Sequence, residues 1–319
     1  MRRRPSRRRV IRGIIAQKVM NRPRISVLGA VAVDIKAKSL DALVRSSDVP
    51  GRVQVRIGGV ARNVAKDLAR LGAEVTIFSA VGDDEFGRMI CADLQRAGVN
   101  IRNLLVSRND PTAAWVGVLD EYGNLDVGIF GGQVLDAITP PLISECATAI
   151  ADADLIAVDA TLPRAAMDAI VALAKAHHLS LCLNPASAAR ARTVADIVGD
   201  YAIVSANALE AEMLTGESVS SIDDAKRAAH VLVARGVRRA LVTLGAQGMV
   251  YADALETRYA SALPAHVVDT TGAGDALLAM FLVCHLNACS LDETLARALH
   301  AAALTVACDE SASDEISRA

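Results

Sequence analysis

The stretch Asp269-Thr270-Thr271-Gly272-Ala273-Gly274-Asp275 constrains the fold of this chain more than any other, because it ties a glycine turn to an apolar helix. A mostly apolar segment, Ala265 to Val268, precedes it, and a helical apolar run, Ala276 to Leu286, follows. It therefore reads as a strand-to-helix turn. Glycines at 272 and 274 let the backbone approach a ligand closely and point successive N–H groups outward. The N-terminus of the next helix adds partial positive charge, which suits a phosphate. Asp275 falls in the first helical turn, where a carboxylate either caps the helix or accepts a proton from a bound hydroxyl. The P-loop pattern G-x-x-x-x-G-K-[ST] is absent, which excludes that nucleotide-binding solution.

A second glycine pair opens another amphipathic helix: Gly58-Gly59-Val60-Ala61-Arg62-Asn63-Val64-Ala65, with Leu68 and Leu71 on the apolar side. Between the two motifs, strands and helices alternate. Ile25 to Ile35 reads as one buried strand, Asp154 to Asp159 and Ser180 to Leu183 as others, and 163–177 as a helix. Tyr201 to Ser205 precedes helices near 207–214 and 221–235. Arg239 to Leu244, Gly248 to Tyr251 and Arg258 to Ala260 make a β-rich section before helices 273–287 and 291–307. Such alternation predicts a mostly parallel sheet covered on both faces. The palette agrees, since residues are 52% hydrophobic but only 3% aromatic, as in buried parallel strands. Three segments break the rhythm: Val53 to Ile57, Ala113 to Leu119 and Leu125 to Ile129, the last two joined by a turn at 121–124. Each reads as a half-exposed strand.

The two glycine motifs resemble the two signatures of the ribokinase-like (PfkB) carbohydrate kinase family. Other pieces agree in order and spacing: Gly29 with Asp34, Asn184-Pro185-Ala186, Asn207-Ala208-Leu209-Glu210, and Thr243-Leu244-Gly245 followed by Gly248. The resemblance runs from Ile25 to about Ser313. It implies a three-layer α/β/α sandwich with a small β-lid near 36–57 and 112–131, within a kinase domain of residues 25–319. It also implies ATP-dependent phosphorylation of a sugar or nucleoside hydroxyl, with Mg²⁺, and K⁺ as a candidate activating ion.

Roles carry over residue by residue. The resemblance makes Asp275 the base and Gly272, Ala273 and Gly274 the anion hole. It makes Asn207 and Glu210 organisers of Mg²⁺ through water, a pair that alone would read as an ordinary surface pair. Asn184, Asn207, Thr243, Gly245, Gly248 and Thr271 fall on the nucleotide side, although glycines also serve plain turns. Asp34, Gly59, Arg62 and Asn63 fall on the substrate side, with Asp34 able to accept two vicinal ribose hydroxyls. Arg62 within the GGVARN pattern is similar to the pseudouridine kinases of the family, as are Pro50-Gly51 and the closing Val306-Ala307-Cys308-Asp309-Glu310-Ser311. That implies transfer to the 5′-hydroxyl of pseudouridine. Kinases for ribose, another nucleoside or a keto-sugar, and a sugar-sensing pseudokinase, are the alternatives. Arg62 either reaches the base or pairs with a lid or helix carboxylate such as Asp67.

Net charge is −2, unevenly spread: residues 1–19 hold eight of the 34 Lys and Arg and no acid. Residues 1–24 read as a basic, disordered tail, and residues 1–19 alternatively as a stretch ahead of a start at Met20 or as a nucleic-acid-binding or targeting arm. The six cysteines lie singly and no C-x-x-C occurs, the pattern of reduced thiols in a cytoplasmic protein. The six histidines form no metal spacing. No apolar run reaches the roughly 18 residues of a membrane span. The expected partners are a small nucleoside or sugar and a second copy of the chain through the lid, with neither membrane nor nucleic acid.

Overall fold

The computed structural model describes residues 22–319, so the expectations placed on residues 1–21 lie outside the described residues. Arg24, assigned to the tail by sequence, instead opens the first strand, β1 (Arg24–Leu28), and its N–H donates to Asp154. The predicted single strand from Ile25 to Ile35 is two strands. β1 ends at Leu28, and the chain turns through Gly29–Val31 into β2 (Ala32–Ser39), which belongs to a different sheet. Gly29 makes the turn possible. Its φ is +149°, and a β-carbon there would overlap the carboxylate of Asp159.

β2 pairs with β3 (Gly51–Gly58), and β3 leads into the helix Val60–Arg70. β4 (Glu74–Gly82), the helix Glu85–Arg96 and β5 (Asn100–Ser107) follow. β6 (Ala114–Leu119) and β7 (Leu125–Gly131) form a hairpin beside β2, completing a four-stranded lid of order β3-β2-β6-β7. The chain then re-enters the large sheet as β8 (Leu155–Asp159), β9 (Ser180–Asn184), β10 (Ile203–Asn207), β11 (Arg239–Thr243), β12 (Met249–Asp253) and β13 (Thr257–Ala260). The nine-stranded order is β13-β12-β11-β10-β9-β8-β1-β4-β5. From β5 across to β11 every pairing is parallel, and β12 and β13 finish the edge antiparallel.

Each parallel strand alternates apolar side chains between two cores. On β8, Leu155 and Ala157 enter one core and Ile156 and Val158 the other. This is the period of two on a sheet buried on both faces. The helix Ala273–Leu286 is apolar all round, and every residue from Asp275 to Cys284 is buried. A helix with no polar face must sit at the centre of a layer. It lies between Val60–Arg70 and Leu291–Val306. The segment Ala265 to Val268 is not a strand: Val267 and Val268 are exposed, and the Val268 N–H is bonded to the Val306 carbonyl.

From β1 the sheet grows one way through β4 and β5 and the other way through β8 to β11. Strand order reverses between β1 and β8, and the carboxyl ends of strands flanking such a switch point form a natural ligand crevice.

Candidate active site

A cleft of about 680 Å³ opens at that crevice, between the strand ends and the lid. Its floor carries Ala30 after β1, Thr161 after β8, Asn184 ending β9, Asn207 ending β10 and Thr243 ending β11. Its roof carries Asp34 and Lys36 from β2, Trp115 from β6 and Phe130 from β7.

Asp275 lies at the junction. Its Oδ2 accepts from Asn63 Nδ2 at 2.9 Å and its Oδ1 from Asn184 Nδ2 at 3.1 Å. Placed in the first turn of a helix that is buried from Asp275 to Cys284, Asp275 is 8% exposed. Burial pushes its pKa up to about 7, helped by the negative charges of Asp159 and Glu210 and opposed by the two amides. Gly272 and Gly274 line the cleft beside it. Gly272 is the N-cap of the helix, with φ +82° and no side-chain cap. A β-carbon at 272 would overlap the carbonyl oxygen of Ser311.

The Asn63 amide is held in orientation from behind. Its Oδ1 accepts from Ser311 Oγ at 3.0 Å and from the Arg62 guanidinium at 3.0 Å, which leaves Nδ2 to face Asp275. Arg62 itself is 3% exposed and does not line the cleft. Its Nε and a terminal nitrogen donate to Asp93 Oδ2 at 2.8 and 2.5 Å, and Lys66 takes the other Asp93 oxygen at 3.0 Å. The expectation of Arg62 at a substrate base is therefore corrected: helix 60–70 turns it towards helix 85–96, and it meets the cleft only through Asn63. Its carboxylate partner is Asp93, not Asp67. Asp67 is fully buried, with neither oxygen hydrogen-bonded among the described residues, and burial together with the charge of Asp275 raises its pKa well above the usual carboxylate range.

Asn207 and Glu210 form a complete capping box at the start of helix Ala208–Thr215. Asn207 Oδ1 accepts the Glu210 N–H at 3.0 Å, and Glu210 Oε2 accepts the Asn207 N–H at 2.9 Å. Both line the cleft, and Glu210 is 6% exposed, with its pKa raised by burial. Thr243 and Thr271 also line the cleft, but Gly245, Gly248 and Ala273 do not. Gly248 serves its turn: with φ +102°, a β-carbon there would overlap the Ala260 carbonyl on β13.

On the roof, burial raises the pKa of Asp34, partly offset by Lys36 and Arg62. Gly59 has φ +93° and packs its α-carbon against the Ala30–Ala32 backbone, where a side chain has no room. Lys36 Nζ bridges from the lid to Asp269 Oδ2 at 2.6 Å and Thr271 Oγ1 at 2.8 Å.

Sequence reasoning missed Lys36, Trp115, Phe130, Thr161, Arg190 and Asp159. Asp159 accepts the N–H groups of Ala30 at 2.9 Å and Ala61 at 3.1 Å, so it caps the helix 60–70 from another strand. No local pattern announces such a remote cap. The signal for Trp115 was available: it is the one tryptophan of an aromatic-poor chain, inside an alternating strand.

A crevice at a topological switch point, roofed by a separate sheet and floored by a glycine turn at a helix start, defines an α/β enzyme site for an anionic ligand. The chain matches the family model described as pfkB family carbohydrate kinase over residues 22–317, and it belongs to that family. It is a carbohydrate or nucleoside kinase by class. It is 26% identical over 294 residues to the pseudouridine kinase of Escherichia coli, covering 92% of this chain and 93% of that one. It is 27% identical over 292 residues to the guanosine-inosine kinase of Exiguobacterium acetylicum, covering 90% and 95%. Among solved structures, the ribokinase of Arabidopsis thaliana complexed with ribose and ATP superposes with a TM-score of 0.81 at 24% identity, covering 93% and 97%.

Proposed function

We propose that the protein transfers the γ-phosphoryl group of ATP to the 5′-hydroxyl of pseudouridine, giving pseudouridine 5′-phosphate and ADP. The observation that carries this reading is Asp275, buried between two amide donors at the glycine turn, with its carboxyl pushed up to about 7. A base poised near neutrality loses and regains a proton at working pH. In the reaction Asp275 takes the hydroxyl proton as the new O–P bond forms and the bond from the γ-phosphorus to the β-γ bridging oxygen breaks. The amides of Gly272 and Gly274, which line the cleft, receive the charge of the phosphoryl oxygens, and such a donor is worth about 3 kcal/mol in a transition state.

Asp34 accepts the ribose hydroxyls and Asn63 holds Asp275 in register. Asn184, Thr243 and Thr271 border the nucleotide. Mg²⁺ keeps several waters and needs only one or two carboxylates beside phosphate oxygens. Glu210, a buried carboxylate facing the cleft, fits that demand together with Asn207. When bound there, the ion neutralises phosphate charge. The nucleoside choice is supported by the names of the two relatives. The lid, bridged to the phosphate side by Lys36, excludes water that would otherwise accept the phosphoryl group.

The test is a panel: purified protein with ATP and Mg²⁺ against pseudouridine, uridine, guanosine and ribose, with products read by mass spectrometry. The highest kcat/KM is expected on pseudouridine. A preference for ribose overturns the substrate, and no turnover of any overturns the kinase reading.

A further inference from the structure

Register fixes what the inner face of the lid presents. β2 pairs Asp34 with Trp115, and β6 pairs Trp115 with Phe130, so the three side chains form one row on one face. All three line the cleft, so this row faces the ligand. Two residues further along the same face the row is Lys36, Gly117 and Gly128.

The two glycines have a reason to be there. A β-carbon at 117 would overlap the benzo edge of the Trp115 indole, and one at 128 would lie 3.1 Å from its Nε1. The indole therefore lies down across both strands, in the space two side chains would fill. Phe130 is treated alike, since a β-carbon at Gly132 would overlap its ring. Glycine inside a strand weakens it and marks a close approach. Here the approaching group is an aromatic ring laid along the sheet. The chain has one tryptophan and four phenylalanines in 319 residues, and one of each is placed in this patch.

We propose that Trp115, supported by Phe130 and the floor of Gly117 and Gly128, is a stacking platform for the planar base of a nucleoside, and that it is the residue separating nucleosides from free sugars. The inference rests on the kinase reading of this cleft and deepens it. Asp34 sits on the neighbouring strand opposite Trp115, so ribose hydroxyls at Asp34 place the attached base along the row, over the indole. Stacking uses the π-face common to every base. Trp115 thus selects the class of substrate, while the glycosidic link and ring N–H groups are read by others.

Because Trp115 is the only tryptophan, its fluorescence reports the platform without turnover. Titration of the full-length protein with pseudouridine or uridine is expected to quench it, and titration with ribose to leave it unchanged. In steady-state assays, Trp115→Leu is expected to raise KM for nucleosides by about tenfold to a hundredfold, the range for a lost base–aromatic stack. KM for ATP stays within twofold, and Trp115→Phe recovers most of the loss. Gly117→Val, which lifts the ring without removing it, follows Trp115→Leu. An unchanged nucleoside KM in Trp115→Leu overturns the proposal. Equal losses for ribose and nucleoside also overturn it, since the sugar ring itself would then be what stacks. If nucleosides quench the fluorescence but are not phosphorylated, the platform stands and the proposed reaction falls.

Discussion

Among the described residues four helices begin at the cleft, and they differ in how their first turns are satisfied. The helix 60–70 is capped by Asp159 from β8, Ala188–Val194 by its own Ser187, and 208–215 by the reciprocal box of Asn207 and Glu210. The helix 273–286 begins at Gly272 with no side-chain cap at all. The first four N–H groups of a helix need a partner from outside it. Three of these helix starts find a side-chain partner within the protein and hold strand ends still, whereas at the fourth the Ala273 N–H meets only the Thr270 carbonyl, at 3.4 Å. The fourth leaves its first turn facing a ligand crevice beside a carboxyl tuned to near-neutral pH. The same piece of secondary structure is thus a brace in three places and a receptor for negative charge in one.

That contrast breaks most visibly at Asp275. Asp275→Asn is expected to lower kcat by at least about a hundredfold, the low end for a lost general base, with ATP affinity nearly unchanged. In the wild type, kcat should rise with pH through about 7 and flatten above it, because the base works only when ionised. Stability moves the other way. The folded pKa lies above the unfolded value of 3.8, so the contribution of this group is fully present below 3.8 and is lost as pH rises towards about 7. The Tm of Asp275→Asn relative to wild type should therefore improve between pH 5 and pH 8. Matching pH profiles for the two proteins would remove Asp275 from both roles.

Gly272→Ala sharpens the comparison at the uncapped turn itself. The new β-carbon meets the Ser311 carbonyl at a backbone angle that L-residues rarely adopt. Shifting one anion-hole donor costs about a hundredfold in kcat, so a loss near that size is expected in single-turnover assays. Retained turnover would mean the amides of this turn carry no charge in the reaction. At a braced helix the effect should be small and of another kind. Ser187→Ala removes the side chain that accepts the Arg190 N–H at 3.3 Å, and loss of such a cap costs about 1 kcal/mol of stability. Chemical denaturation should show that decrease while kcat stays within about twofold.

The α/β layers, the edge β-rich section and the lid hairpin were legible because period-two alternation and glycine turns are local signals. The β1–β2 break was not. From Ile25 to Val33 the one polar side chain is Ser26, and the reason for the break is Asp159, far along the chain, occupying the space beside Gly29. Asn184, Asn207 and Glu210 could be singled out because each sits at or beside the end of a strand, and Asp275 because a glycine turn opens its helix, although the segment before that turn is not a strand. Arg62 was misplaced because helical position gives a direction but not a partner. Its guanidinium turned to Asp93, on a helix the sequence reading had not delineated. Gly245 and Gly248 were drawn to the nucleotide by their motif, whereas Gly248 answers to the backbone of β13.

The three residues Gly29–Val31 carry the chain from the sheet that floors the cleft to the sheet that roofs it. Groups assigned to recognising the acceptor therefore come largely from 32–58 and 114–131, and groups assigned to the phosphoryl side from 184–275. Mutation and selection can act on these stretches separately. On the proposed roles, a change of diet would call for altering a few lid side chains and leave the chemistry of the floor as it is. A change in the floor has no such freedom, because there the helix starts and strand ends serve every acceptor alike.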